Sequence, residues 1–304
     1  MSDTGRRAQA TASTNIMETD APIPTWFNVG GRADLLARPR TVDELLRLLE
    51  SHAEVRVLGD GANLLVDDGG VGGLVVSLEH INDVLELEEG GLHCVEAGAN
   101  LPRLVVETVR RGRGGLEGLA GVPASLGGAV FMNAGGAFGQ IADTVERVHF
   151  IDPDRRPASL YRSEIDFAYR HSGLDGCVVV AAELRLTPGD PAVLRSRLKE
   201  VMASKSRSQP MASDSAGCVF KNPLVDGERV SAGRLIDRAG CKGLRSPSGR
   251  AEVSVVHANF FVTHDGARAA DVLQLIDAVR ERVRSFASVE LETEIAIWRR
   301  GGAS

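Results

Sequence analysis

Phosphate binding is the first chemistry that residue type and spacing suggest. A pyrophosphate needs backbone N–H groups turned toward it with no side chains in the way, so its loops are rich in glycine and follow strands. The chain offers two such stretches. The first is Gly59-Asp60-Gly61-Ala62-Asn63-Leu64, directly after the β-branched run Val55-Arg56-Val57-Leu58. Asn63 is expected there to satisfy its own backbone or a phosphate oxygen. The second runs from Gly121 to Gly136 and contains Val122, Pro123, Ser125, Gly127, Gly128, Asn133 and Ala134. Together the two bends are expected to wrap one extended ligand. Their spacing is not the G-x-G-x-x-G between a strand and a long helix, which disfavours a Rossmann unit.

Periodicity predicts the frame that must hold these bends. Thr41, followed by acidic residues and apolar positions at helical spacing, predicts a helix over 41–50. Further helices are predicted over 101–110, 192–204 and 231–239, the last stopped by Gly240. A long amphipathic helix is predicted over 268–286, with Val272, Ile276, Val279 and Val283 as its buried stripe. Short strands are predicted at 55–58, between 73 and 97, at 145–151 and at 177–186. The stretch 112–139 is too dense in glycine for a long helix or strand. Alternation across Leu291–Trp298 predicts a closing strand with Glu292 and Glu294 on one face, and Leu291, Ile295 and Ile297 on the other. The break Pro188-Gly189-Asp190-Pro191 sets a boundary. The expected organisation is a disordered tail over 1–20 and units over 21–78, 79–190 and 191–300.

Whole-chain properties narrow the class. At 304 residues the chain exceeds the roughly 100–150 of one ordinary domain, so two or three packed units are expected. Hydrophobic residues at 43% and charged residues at 25% are ordinary for a globular protein. With 41 acidic against 35 basic residues the net charge is −6, the wrong sign for gripping nucleic acid, so an anionic ligand must be held by local features. Four cysteines without a C-x-x-C pair indicate neither zinc nor a disulfide framework, and no metal site is expected. There is no apolar run of about 18 residues and no signal-like apolar segment at the start. A cytoplasmic protein without membrane contact is therefore expected; its oligomeric state is left open.

Longer strings carry a resemblance. TWFNVGGRADLLARP (25–39), VLGDGANLLVDDGGVGGLVV (57–76), GLAGVPASLGGAVFMNAGGAFGQIAD (118–143), YRHS (169–172), SAGCVFKNP (215–223), AGRLIDRAGCKGLR (232–245), AEVSVVHANFFV (251–262) and LETEI (291–295) resemble, in order and at fitting separations, the UDP-N-acetylenolpyruvoylglucosamine reductase family. The resemblance covers about 24–297. It implies an α+β fold, with FAD held non-covalently by a vanillyl-alcohol-oxidase-like (PCMH-type) pair of subdomains and a C-terminal α+β substrate domain. It also implies NADPH as hydride donor and reduction of UDP-N-acetylglucosamine enolpyruvate to UDP-N-acetylmuramate, a peptidoglycan precursor. With only Tyr161 and Tyr169 as tyrosines, the chain resembles the shorter (type II) branch.

The same resemblance assigns roles. Arg170 would contact the substrate carboxylate, Glu294 would sit on the other side of the reacting centre, and the proton donor would be Cys218, where most relatives carry serine. A thiol of ordinary pKa, about 8.5, gives up a proton more easily than an alcohol and would be open to alkylation. Substrate anchoring would fall to Tyr169, Lys221 and Asn222, with Lys205 or Arg207 ahead of them and His257 or Asn259 behind. Ala124 stands where the family commonly has glycine. Two rivals remain. One is an oxidase on the same flavin fold with FAD tethered through histidine, although 57–76 and 112–139 contain no histidine. The other is a silent nucleotide-binding module, which would be expected to lose one of the three reactive groups.

Overall fold

Two antiparallel strands, β1 (Met17–Pro22) and β2 (Arg32–Ala37), open the computed structural model, which describes residues 16–88 and 91–301. β1 takes in residues 17–20, where a disordered tail is expected from composition; residues 1–15 of that tail lie outside the described part. Pairing with β2 supplies the hydrogen bonds that a polar stretch cannot make alone. Next come α1 (Val42–Ser51), capped by the Thr41 side chain, then β3 (Val55–Leu58), β4 (Leu64–Val66) and β5 (Val71–Ser77). The first sheet has the order β1-β2-β5-β3, with β5 parallel to both β2 and β3.

The second unit is a five-stranded antiparallel sheet. It contains β6 (Val84–Glu88), β7 (Leu92–Glu96) and the strands Val145–Ile151, Pro157–Tyr161 and Val178–Arg185. Its covered face packs on α2 (Leu101–Arg110), α3 (Leu126–Phe131) and α4 (Pro191–Ser208). Val201 of α4 lies in one cluster with Leu104, Leu116 and Leu119. Helix α4 therefore belongs with the second core and not, as the boundary at 190 implied, with the third unit. A proline-glycine break marks the start of a helix; it does not tell which core the helix joins.

The third unit contains α5 (Ala232–Arg238), an antiparallel pair of strands (Ala251–Val253 and Phe261–Thr263) and α6 (Ala269–Ala287). Val272, Ile276, Val279 and Val283 are buried as their spacing predicts, around an edge-on Phe220–Phe261 pair. Phe27 and Leu65, from the first unit, sit in the same core. The closing strand is shorter than expected, Ala296–Trp298, and pairs in parallel with β4. Before it, Thr293 bridges to Phe220, so the segment does not run as one flat strand. As a result Glu292 and Glu294 share no environment: their side chains are 79% and 9% exposed.

Candidate active site

The first glycine bend joins two strands whose ends, Leu58 and Leu64, are buried in one small core. The bend is tight because Gly61 adopts a left-handed φ of +66°, where a Cβ would lie 2.2 Å from the Pro24 carbonyl oxygen. A Cβ on Gly59 would lie 2.8 Å from Ser125 Oγ, so the backbone of the first glycine bend abuts the Ser125 hydroxyl of the second. Among the described residues, the N–H groups of Gly59, Asp60, Gly61, Ala62 and Asn63 donate to no backbone carbonyl. A row of open amides meeting a second bend fits a dinucleotide such as FAD. Asp60 would repel a diphosphate as a free carboxylate. Burial raises its pKa above the ordinary value, against a hydrogen bond from Trp26, which softens that repulsion.

Several residues of these bends do something other than expected. The Gly127 N–H donates to Ala97 O at 2.8 Å, and a Cβ there would lie 2.8 Å from Ala97 Cβ. This glycine permits close packing. Ala134 has both backbone groups engaged, with Ala129 O and Ile141 N–H, and the Val122 N–H donates to Leu119 O. The Leu64 side chain is buried in the core, leaving only its backbone near the bend. Ser125 caps α3, accepting from the Gly128 N–H at 3.3 Å. Gly121 lies against Met202, Lys205 and Met211, while Pro123 and Ala124 are half-buried. The side-chain amides of Asn63 and Asn133 donate to protein carbonyls, not outward: to Glu294 O at 3.0 Å and to Ala168 O at 2.9 Å. Composition marks a glycine-rich bend, but which amides stay open depends on neighbours distant in sequence.

Arg170, Cys218 and Glu294 line one cavity of about 530 Å³, together with Tyr169, Asn222, Asn133, Asn259, Phe220, Gln140 and Asp143. Arg170 is on a tight turn closed by paired backbone bonds between Ala168 and His171, and it adopts a left-handed φ of +56°. Its Nε donates to Glu294 Oε1 at 2.6 Å and its Nη1 to Gly135 O at 2.9 Å. Cys218 follows Gly217 and bridges to Phe260. Asn259 fixes this wall by pairing with both backbone groups of Phe220, at 2.9 and 2.8 Å.

Electrostatics in the cavity follow from burial. Cys218 is half-buried on the cavity wall, and burial together with the Glu294 carboxylate pushes its thiol up to about 12, against Arg170 and an Asn259 hydrogen bond. Burial thus makes this proton harder to lose than the ordinary thiol value implies. Burial also raises the Glu294 carboxyl, and the Arg170 ion pair only partly offsets it. The Tyr169 hydroxyl is raised by burial while accepting from the Asn222 N–H at 3.2 Å. Lys205 is lowered to about 8, first by burial and then by Arg170.

The remaining anchoring residues divide. Tyr169 and Asn222 line the cavity. Lys205 lies beside Gly121, next to the second bend. Arg207 is exposed at the end of α4. Lys221 pairs with Glu292 at 3.5 Å, and its side chain lines no part of the cavity. Of His257 and Asn259, only Asn259 reaches the cavity; His257 packs edge-on against Phe260, and burial lowers its pKa. Two features went unread in the sequence. The Arg229 guanidinium lies 4.1 Å from the Tyr169 ring centre and its Nη1 donates to Asn222 O, and Gln140 and Asp143 form part of the wall. Arg229 carries no local sequence signal, since a short hairpin brings it there.

A cofactor bend with open amides, abutting a second bend and leading to a cavity with an arginine, a thiol and a carboxylate, describes a FAD-dependent oxidoreductase. A model of the FAD binding domain matches residues 33–156, and one of the UDP-N-acetylenolpyruvoylglucosamine reductase C-terminal domain matches residues 209–298. The latter begins after α4, where the third core begins. The chain is 43% identical over 290 residues to the UDP-N-acetylenolpyruvoylglucosamine reductase of Moorella thermoacetica, covering 93% of each chain. To that of Rubrobacter xylanophilus it is 42% identical, covering 90% of this chain and 91% of the relative. The crystal structure of UDP-N-acetylenolpyruvylglucosamine reductase from Thermus caldophilus is similar at TM-score 0.79 and 41% identity, covering 90% of this chain and 96% of that one. The chain belongs to the UDP-N-acetylenolpyruvoylglucosamine reductase family.

Proposed function

We propose that this chain reduces UDP-N-acetylglucosamine enolpyruvate to UDP-N-acetylmuramate with electrons from NADPH, in the cytoplasm, as a step of peptidoglycan precursor synthesis. The observation that carries this reading is the shared cavity of Arg170, Cys218 and Glu294, three groups far apart in sequence. Gly59 to Asn63 and the Gly121–Gly128 bend would hold FAD through backbone groups. When bound, FAD would supply the hydride that adds to the terminal carbon of the enolpyruvyl double bond.

The protein groups manage the charge and the proton. Arg170 offers a fork of donors to the substrate carboxylate, where negative charge grows as the double bond is reduced. Its ion pair with Glu294 keeps the fork oriented before substrate arrives. The Cys218 thiol, still protonated at neutral pH, gives its proton to the carbon beside the carboxylate; Arg170 then stabilises the thiolate until solvent reprotonates it. Glu294 holds the guanidinium and shares the local proton. Lys205 and Arg229 add positive charge for the diphosphate in a protein of net charge −6. Purified protein should show flavin absorption bands and oxidise NADPH only when UDP-N-acetylglucosamine enolpyruvate is present. A colourless protein that stays colourless with added FAD, or NADPH oxidation indifferent to that substrate, would refute the assignment.

A further inference from the structure

Asn63 and Asn133 sit one in each glycine-rich bend, and each reaches the root of one reactive side chain. Asn63 Nδ2 donates to the backbone carbonyl of Glu294 at 3.0 Å, and the Ala296 N–H donates back to the Asn63 carbonyl at 2.9 Å. The Glu294 N–H donates to Val219 O at 2.7 Å, one residue beyond Cys218. Both peptide groups of Glu294 are thus gripped, one by the cofactor bend and one by the strip that carries the thiol. On the opposite wall Asn133, 3% exposed and itself at a φ of +42°, donates through Nδ2 to Ala168 O at 2.9 Å and Gln140 Oε1 at 3.1 Å. Its Oδ1 accepts from the Ala142 N–H at 3.4 Å. Ala168 is half of the turn that presents Arg170.

We propose that Asn63 and Asn133 are positioning residues that lock Glu294 and Arg170 to the two cofactor bends, so that the bends which hold the flavin also set where charge and proton are handled. This rests on the function proposed above. Arg170 needs such a clamp because a left-handed backbone at a residue with a Cβ is unfavourable unless its surroundings hold it there. Placement within a fraction of an ångström matters because a misplacement of about 1 Å can cost on the order of 10²-fold in rate. Only the amide of asparagine combines the required N–H donor with this length; aspartate keeps the shape and loses the donor.

The test uses Asn63→Ser, which is too short to reach the Glu294 carbonyl and adds no charge to the cofactor bend, and Asn133→Asp, each reconstituted with FAD. Three quantities are read: FAD affinity by titration of the apoprotein, reduction of the bound flavin by NADPH, and its reoxidation by UDP-N-acetylglucosamine enolpyruvate as a function of pH. FAD affinity and reduction are expected to stay within about threefold of wild type, while reoxidation slows about 30- to 100-fold with KM nearly unchanged. In Asn63→Ser the pH limb that reports Glu294 should also move to lower pH, because a loosened carboxyl gains water and loses part of its raised pKa. Reoxidation at the wild-type rate would overturn the proposal. So would a joint fall of FAD affinity and both half-reactions, which would make the two asparagines cofactor contacts. Should Asn133→Asp fail to fold, Asn133→Gly removes the amide while accepting the left-handed φ of +42° and decides the Arg170 half by the same readouts. Wild-type protein that is reduced by NADPH but not reoxidised by the enolpyruvyl sugar would instead sink the proposed function, and this proposal with it.

Discussion

The third unit meets the first and the second in different ways. Against the first it is stapled. The strand Ala296–Trp298 extends β4, and Asp68 accepts from the Ala269 and Ala270 N–H groups at the start of α6 at 3.0 and 3.1 Å. Thr263 Oγ1 donates to Phe27 O at 2.6 Å, and Arg300 holds Asp34 with two donors. Against the second unit it faces the cavity, spanned there by the Arg170–Glu294 pair and the Asn222–Tyr169 hydrogen bond. One boundary is built from backbone pairing and apolar core, the other from groups that a ligand can engage. Regular pairing fixes relative position, whereas polar side chains across a cavity can exchange partners; the two boundaries meet at Glu294, whose peptide is held by Asn63 of the first unit.

Breaking the cavity side should give the largest effects. Glu294→Gln and Arg170→Lys are each expected to lower kcat by about 10²- to 10⁴-fold, checked by steady-state turnover of flavin-loaded protein. If either substitution lowered the melting temperature but spared turnover, the pair would be a staple like the others. Next comes Cys218→Ala, expected to cost about 10²- to 10³-fold, with Cys218→Ser recovering a measurable part because a hydroxyl can still deliver a proton. With the thiol at about 12, only on the order of one molecule in 10⁵ is thiolate at pH 7. Iodoacetamide labelling of Cys218, read by peptide mass mapping, should therefore be negligible at pH 7 and rise steeply as pH increases.

Lys205 sharpens the same side by a smaller amount. Its pKa of about 8 means that it is charged below that pH and neutral above it. KM for the anionic substrate should accordingly rise about tenfold as pH passes through 8, and Lys205→Met should flatten that rise. The staple side supplies the smallest effect on turnover. Asp68→Ala removes the cap from α6 and should cost about 1–2 kcal/mol of stability in denaturant unfolding, with kcat within about twofold of wild type. A large loss of kcat there would show that the start of α6, too, is coupled to the cavity.

Local signals in the sequence settled most elements. The Thr41 cap, the α6 stripe, the strands 55–58 and 145–151 and the helix 101–110 all follow from short-range sterics, capping and periodicity, which neighbouring residues alone decide. Motif strings pointed to Arg170, Cys218 and Glu294, but they did not show that burial would raise the thiol so far. Nor did they show that the amides of Asn63 and Asn133 turn inward, that α4 joins the second core, that Glu292 and Glu294 part company, or that Arg229 comes to lie over Tyr169. Each of those outcomes depends on which distant residue fills the space beside it. Sequence by itself determined most helices and strands, because short-range sterics and capping fix them, and it offered Arg170, Cys218 and Glu294 through the motif resemblance. Only the tertiary structure decided solvent access, partner and charge state, because these are set by residues far along the chain that close packing brings within a few ångströms.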